Sequence, residues 1–267
     1  MIHLPENIKN LIRTEKYSID SVGMSDSTVI LFDDKVLKIQ TITDQAIRQE
    51  AENEYRIMCW LKDKLPVPKV LAFEKEEAKS YLLMTKLSGD MACDDKFMSN
   101  PEQLVDMLAE GLQMLWQVDI SNCPFDWRLD RKLQMAKYAV DNNLVDLDNA
   151  EPDTFGENGF KSPRHLLEWL YENRPEEELV LSHGDFCLPN IFLSDGKVSG
   201  YIDLVRTGVA DKWQDIALCY RSLMHNFEGR FTGKQYYGFK PEMLFEKLKI
   251  GPDWDKIRYY ILLDELF

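Results

Sequence analysis

The chain has 267 residues, 45% of them apolar and 11% aromatic, with 13 glycines and 11 prolines. That composition excludes a disordered chain, a collagen-like repeat and a disulfide-stapled miniature fold, and it supplies enough apolar material for one large domain or two lobes. The 46 acidic against 32 basic side chains leave a net charge of −14, which argues against a general nucleic-acid binder, since such proteins meet phosphates with a basic surface.

In chain order, the pattern over 28–87 predicts strands around one helix. The runs TVILF and KVLKIQ flank Asp33-Asp34 and read as a hairpin. Over 44–64, Ala51, Tyr55, Met58 and Leu61 recur at helical spacing until Pro66 and Pro68 stop the pattern. KVLAFE and SYLLMTKL then read as two further strands around a charged turn at 75–79. Beyond 87 the chain reads as mainly helical. Leu104, Leu108, Leu112 and Leu115 mark one helix face, and Ser162 with Pro163 marks a helix start. The span 141–162, rich in Asp, Asn, Glu and Gly, predicts a long functional loop. One hairpin interrupts the helices, formed by 190–193, the turn 194–197 and 198–203.

No apolar run reaches the roughly 20 residues that span a bilayer, and the first ten residues are broken by His3, Pro5, Glu6 and Lys9. The reading is a cytoplasmic protein with no membrane partner and no obligate protein partner in evidence. Five scattered cysteines without a C-x-x-C pair fit reduced thiols in that compartment. Charge is uneven: 1–86 hold 13 basic and 14 acidic side chains, and 87–267 hold 19 and 32. A small polycation would be drawn to the second part.

The chemistry concentrates in Ser182-His183-Gly184-Asp185-Phe186-Cys187-Leu188-Pro189-Asn190, followed beyond the hairpin by Ile202-Asp203-Leu204. A carboxylate, an amide five positions later and a second carboxylate are what phosphoryl transfer requires. Asp185 would accept the proton of an attacking hydroxyl, and Asn190 and Asp203 would hold Mg²⁺ on nucleotide phosphates. Lys38, between Leu37 and Ile39, is the candidate cation for those phosphates, with Glu54 on the next helix as its ion-pair partner. Ser25 and Ser27, after Gly23, are candidates for a phosphate-covering loop. His183 reads as an organiser of its loop, and Cys187 lacks a positioned base.

The chain resembles the aminoglycoside 3'-phosphotransferases, antibiotic-resistance kinases with a protein-kinase-like fold. The resemblance runs from the Gly23 loop through Lys38, Glu54, 66–70, 82–84 and 183–190 to Ala210-Asp211-Lys212-Trp213-Gln214-Asp215-Ile216-Ala217 and the ending Asp264-Glu265-Leu266-Phe267. It implies a bilobal α+β fold, with a small N-terminal β-sheet lobe with one long helix over 1–87 and a larger, mainly helical lobe over 88–267. It further implies ATP, with GTP the other candidate, and Mg²⁺ as cofactors, and an aminoglycoside as acceptor. By this resemblance Thr85 to Leu87 face adenine. Arg206, Arg221, Glu265 and the Phe267 carboxylate shape the aminoglycoside site, and Asp215 braces the catalytic loop. The family's Asp-x-Gly is here Asp203-Leu204-Val205, which puts a β-branched residue where positive φ is expected. The other readings are a kinase of the same fold acting on a metabolite such as choline or a sugar amine, and a nucleotide-binding pseudokinase.

Overall fold

The computed structural model describes residues 4–13, 16–19, 27–41, 50–76, 78–148, 150–157 and 159–267. Two compact units emerge, one of Met1–Gly89 with Ser199–Val205 and one of Asp90–Val198 with Arg206–Phe267. A single cut after residue 87 leaves out the return of Ser199–Val205 to the first unit.

The first unit begins with α1 (Glu6–Ile12) and continues with β1 (Ser18–Ile19), β2 (Thr28–Leu31), β3 (Lys35–Thr41), α2 (Glu50–Leu61), β4 (Val70–Glu76) and β5 (Lys79–Thr85). The strands form one antiparallel sheet in the order β1-β2-β3-β5-β4. The expected β2–β3 hairpin is present, closed by Phe32 N–H donating to the Lys35 carbonyl at 2.9 Å. Alternation in β3 and β5 separates two faces. Leu37 lies opposite Leu83, Ile39 opposite Tyr81, and these four join Ile8 and Ile12 of α1 in one buried cluster. Lys38 lies opposite Leu82 on the other face. Ile57, Met58 and Leu61 of α2 are buried. The helix is described from Glu50, so the earlier part of the predicted helix, 44–49, lies outside the described residues.

The second unit carries β6 (Asp90–Met91), α3 (Asp95–Met98), α4 (Pro101–Trp116), α5 (Leu129–Asp141), α6 (Pro163–Glu172), β7 (Leu179–Ser182) and β8 (Ile191–Ser194); β9 (Lys197–Tyr201) starts in it and ends in the first unit, and β10 (Gly208–Asp211), α7 (Lys212–Glu228), α8 (Glu242–Leu248) and α9 (Trp254–Asp264) follow in the second. The predicted leucine face of α4 is fully buried. Ser162 caps α6 by accepting from His165 N–H at 3.2 Å. Asp195 and Gly196 join β8 to β9 with φ of 53° and 75°, the double positive φ that a tight hairpin requires. β7 and β10 pair antiparallel, with Ser182 opposite Gly208. Between α5 and α6 the described residues form no helix or strand beyond an isolated Phe155–Phe160 bridge. No helix among the described residues is long and apolar enough to cross a membrane.

Candidate active site

In the first unit, Lys38 Nζ donates to Glu54 Oε1 at 3.0 Å and Oε2 at 3.1 Å, and also to Asp203 Oδ1. The Glu54 side chain is only 4% exposed. It also takes the Leu204 backbone N–H, which ties the turn carrying Asp203 to the same carboxylate. Burial works against the Lys38 charge, but Glu54 and then Asp203 outweigh it and hold the ammonium above its ordinary pKa. Burial, helped by Asp203, pushes the Glu54 carboxyl up against the pull of Lys38. Asp203 itself has φ of 55°, a conformation Asp tolerates better than most residues. Val205 instead sits inside the 3₁₀ turn Leu204–Arg206. The strain expected at that position does not arise, because the left-handed residue is the aspartate.

In the second unit the residues of the candidate catalytic loop follow β7 directly. Asp215 on α7 is wholly buried and gathers three donors: Ser182 Oγ at 3.0 Å, His183 N–H at 2.7 Å and Gly184 N–H at 2.9 Å. Burial pushes its carboxyl up, and the nearby His183 and these donors pull it back. Gln214 Nε2 donates to the Gly184 carbonyl at 2.9 Å and Thr207 Oγ1 to the His183 carbonyl at 2.9 Å. Gly184 has φ of 85°, and a Cβ there would come within 2.2 Å of the Arg206 carbonyl oxygen. Only glycine fits.

That bracing delivers Asp185, whose N–H donates to His183 Nδ1 at 3.3 Å. Asn190 Nδ2 donates to Asp185 Oδ2 at 2.9 Å and to its carbonyl at 3.0 Å. With its nitrogen so committed, Asn190 offers its amide oxygen as a ligand. Asp203 already holds a cation, the Lys38 ammonium, and its side chain is half exposed. An amide oxygen and a carboxylate are the hard donors that Mg²⁺ takes. Burial, with Asp185 beside it, pushes the Cys187 thiol well up, which suits an inert residue.

A third group lies at the end of α9. Arg221 on α7 donates to Asp264 Oδ2 and, at 3.4 Å, to Glu265 Oε1, while Arg206 reaches Asp264 Oδ1 at 3.4 Å. Glu265 Oε2 accepts the Glu151 backbone N–H at 2.8 Å, so it fastens the 141–162 loop to α9. The Glu265 side chain is only 4% exposed and its carboxyl is raised by burial. It is therefore no solvated tail charge. Arg206 lies 5.1 Å from the Phe267 ring. On α9, Ile257, Tyr259, Tyr260, Leu262 and Leu263 are buried and provide the docking surface, whereas Trp254 is 48% exposed.

Among the remaining candidates, Ser25 lies outside the described residues, while Ser27 precedes β2 and is half-buried. At the end of β5 and just beyond it, Thr85 N–H is spent on the Lys69 carbonyl and Lys86 N–H on the Asp34 carbonyl, both at 2.9 Å. Leu87 packs where Gly200 has no side chain. Sequence reasoning quoted Ser182 and Gln214 within motifs without a role and passed over Thr207 and Ser222, the last of which takes Leu188 N–H at 2.9 Å. Adjacency to Asp215 was the one signal available for Gln214.

Comparison with known proteins agrees with this arrangement. The model of the phosphotransferase enzyme family matches residues 17–259. An aminoglycoside 3'-phosphotransferase of Enterococcus faecalis is 41% identical over 100% of this chain and 99% of its own. The crystal structure of an aminoglycoside-3'-phosphotransferase of type VIII superposes with a TM-score of 0.78 at 26% identity, covering 98% of both chains. An aminoglycoside phosphotransferase from Streptomyces rimosus, solved in complex with ADP and streptomycin, gives 0.78 at 25% identity over 97% of this chain and 96% of that one. A braced loop that carries Asp185, a lysine held by a buried glutamate and full-length likeness to these enzymes lead to one conclusion: the chain belongs to the aminoglycoside 3'-phosphotransferase family.

Proposed function

We propose that the protein transfers the γ-phosphoryl group of ATP to the 3'-hydroxyl of an aminoglycoside. The acceptor oxygen attacks the γ-phosphorus, the bond to the β,γ-bridging oxygen breaks, ADP leaves and the hydroxyl proton passes to Asp185. The observation that carries this reading is the pair of hydrogen bonds from Asn190 Nδ2 to Asp185, which fix one carboxylate oxygen and the backbone of the residue that must face the hydroxyl. Lys38, kept charged by Glu54, binds nucleotide phosphates, and the Leu87 backbone, with Thr85 beside it, meets adenine. Asn190 and Asp203 would hold Mg²⁺, which when bound neutralises phosphate charge.

The acceptor carries several ammonium groups, and the excess of 32 acidic over 19 basic side chains across 87–267 favours such a polycation. Arg206, Arg221 and Glu265 shape the acceptor site by positioning Asp264 and the 141–162 loop, with Phe267 at its edge.

Purified protein incubated with ATP, Mg²⁺ and a panel of aminoglycosides, choline and sugar amines should phosphorylate only the aminoglycosides. Asp185→Ala should bind ATP normally in calorimetry yet lose on the order of 10² or more in kcat, the range of a general base. Turnover of choline in preference to every aminoglycoside would overturn the acceptor assignment, and near-wild-type turnover by Asp185→Ala would overturn the base.

A further inference from the structure

Lys132 on α5 has none of the roles given above, yet it is only 3% exposed. Its Nζ has no hydrogen-bond partner among the described residues, and neither has Gln214 Oε1. Both side chains line one cavity, together with Trp127, Arg206, Asp264 and Phe267, and it offers about 10 Å³ to the centre of a water molecule. One ordered water needs roughly that space and at least two polar partners.

The two orphaned atoms have complementary chemistry. An ammonium only donates and an amide oxygen only accepts, whereas water does both. A metal cation would be repelled by the ammonium and by Arg206, and the space admits no more than one water-sized group. The opposite end of the Gln214 amide holds the Gly184 carbonyl, one residue before Asp185. An amide can flip end for end, and a flip here would set Oε1 against the Gly184 carbonyl.

We propose that Lys132 is a positioning residue for phosphoryl transfer: through one bridging water its ammonium fixes the orientation of Gln214, which in turn holds the Gly184 carbonyl beside the catalytic base. The proposal rests on the reading of Asp185 as that base. Burial lowers the Lys132 pKa to about 8, against Asp215 on α7, Asp264 on α9 and Glu177 ahead of β7, and Arg206 adds to the lowering. Once neutral, the amine also accepts from water, and the orientation of Gln214 is no longer dictated.

The test uses full-length wild type with Lys132→Met, Lys132→Gln and Gln214→Ala. In wild type, kcat should fall on the alkaline side around pH 8. Lys132→Met and Lys132→Gln should lower kcat about tenfold with an unchanged KM for ATP and should remove that alkaline fall, because small misplacements near a reacting group cost rate more than binding. Adding Gln214→Ala should cost nothing further. A kcat profile flat through pH 8 in wild type, or an alkaline fall that persists in the Lys132 variants, would overturn the proposal without any appeal to folding. Amide exchange at 183–187 gives a readout independent of turnover. Faster exchange in Lys132→Gln supports positioning even if every proposed acceptor proves inactive, and unchanged exchange refutes it even if aminoglycosides are good substrates.

Discussion

Lys38 serves two carboxylates, so its removal and that of Glu54 should not be equivalent. Lys38→Met leaves buried Glu54 without its cation and Asp203 without a partner, whereas Glu54→Gln leaves Lys38 still on Asp203. Chemical denaturation should therefore show the larger loss for Lys38→Met, about 3–5 kcal/mol for a buried charge left unpaired. The double variant should lose less than the sum. Lys132 should behave in the opposite way. Its pKa falls from 10.5 to about 8 on folding, so below pH 8 the folded chain carries the full cost of a buried ammonium, and that cost fades as pH rises from 8 to 10.5. Lys132→Met should accordingly raise Tm most below pH 8, with the gain shrinking above it in thermal melts at graded pH. The contacts of Lys38 with Glu54 and of Asn190 with Asp185 were legible in the sequence, because a lysine between apolar strand residues upstream of an acidic helix, and an amide five positions after an aspartate, stand out by type and spacing. Lys132 was not, since Asp130-Arg131-Lys132 reads as a solvated helix face until the tertiary fold buries one of the three.

Among the elements, the loop after β7 depends most on one backbone conformation. Gly184→Ala would strain a φ of 85° and drive Cβ into the Arg206 carbonyl. It should cost about 1–3 kcal/mol for the conformation, with more for the clash, and should lower kcat along with Tm, which thermal melts and kinetics would register together. Gly200→Ala meets the end of the flexible Leu87 side chain instead of backbone, and should be milder. α4 was readable from its periodicity because it buries a leucine face, and β5 from its unbroken apolar run, which is buried on both faces. The face of α9 is less readable, because Trp254 looks apolar in sequence but packs edge-on against Tyr220 and Phe245 at the helix start, with half its surface left open. The turn at Asp203 was misjudged because a positive φ was assigned to the family's glycine position and not to the aspartate.

At the scale of the whole molecule, composition and charge narrowed the class to an acidic protein of one or two lobes, and periodicity suggested where the sheet ends. They carried no trace of the return of Ser199–Val205 to the first unit, because a seven-residue visit leaves no periodic pattern. Within that visit Tyr201 N–H donates to the Pro66 carbonyl at 3.0 Å, Ser199 Oγ donates to the Ser88 carbonyl at 2.6 Å, and Asp203 meets Lys38. A fragment of residues 1–89 should therefore show no cooperative melt when expressed alone, and adding a peptide spanning 199–205 should raise its helix and sheet signal in circular dichroism. A cooperative melt for the bare fragment would show that the visit is dispensable. The chain thus passes from one unit to the other three times. The first unit is consequently not a cassette: no exchange of genetic material with a single breakpoint can transplant it whole, and a hybrid enzyme joined near residue 89 inherits its lysine from one parent and the aspartate that lysine holds from the other.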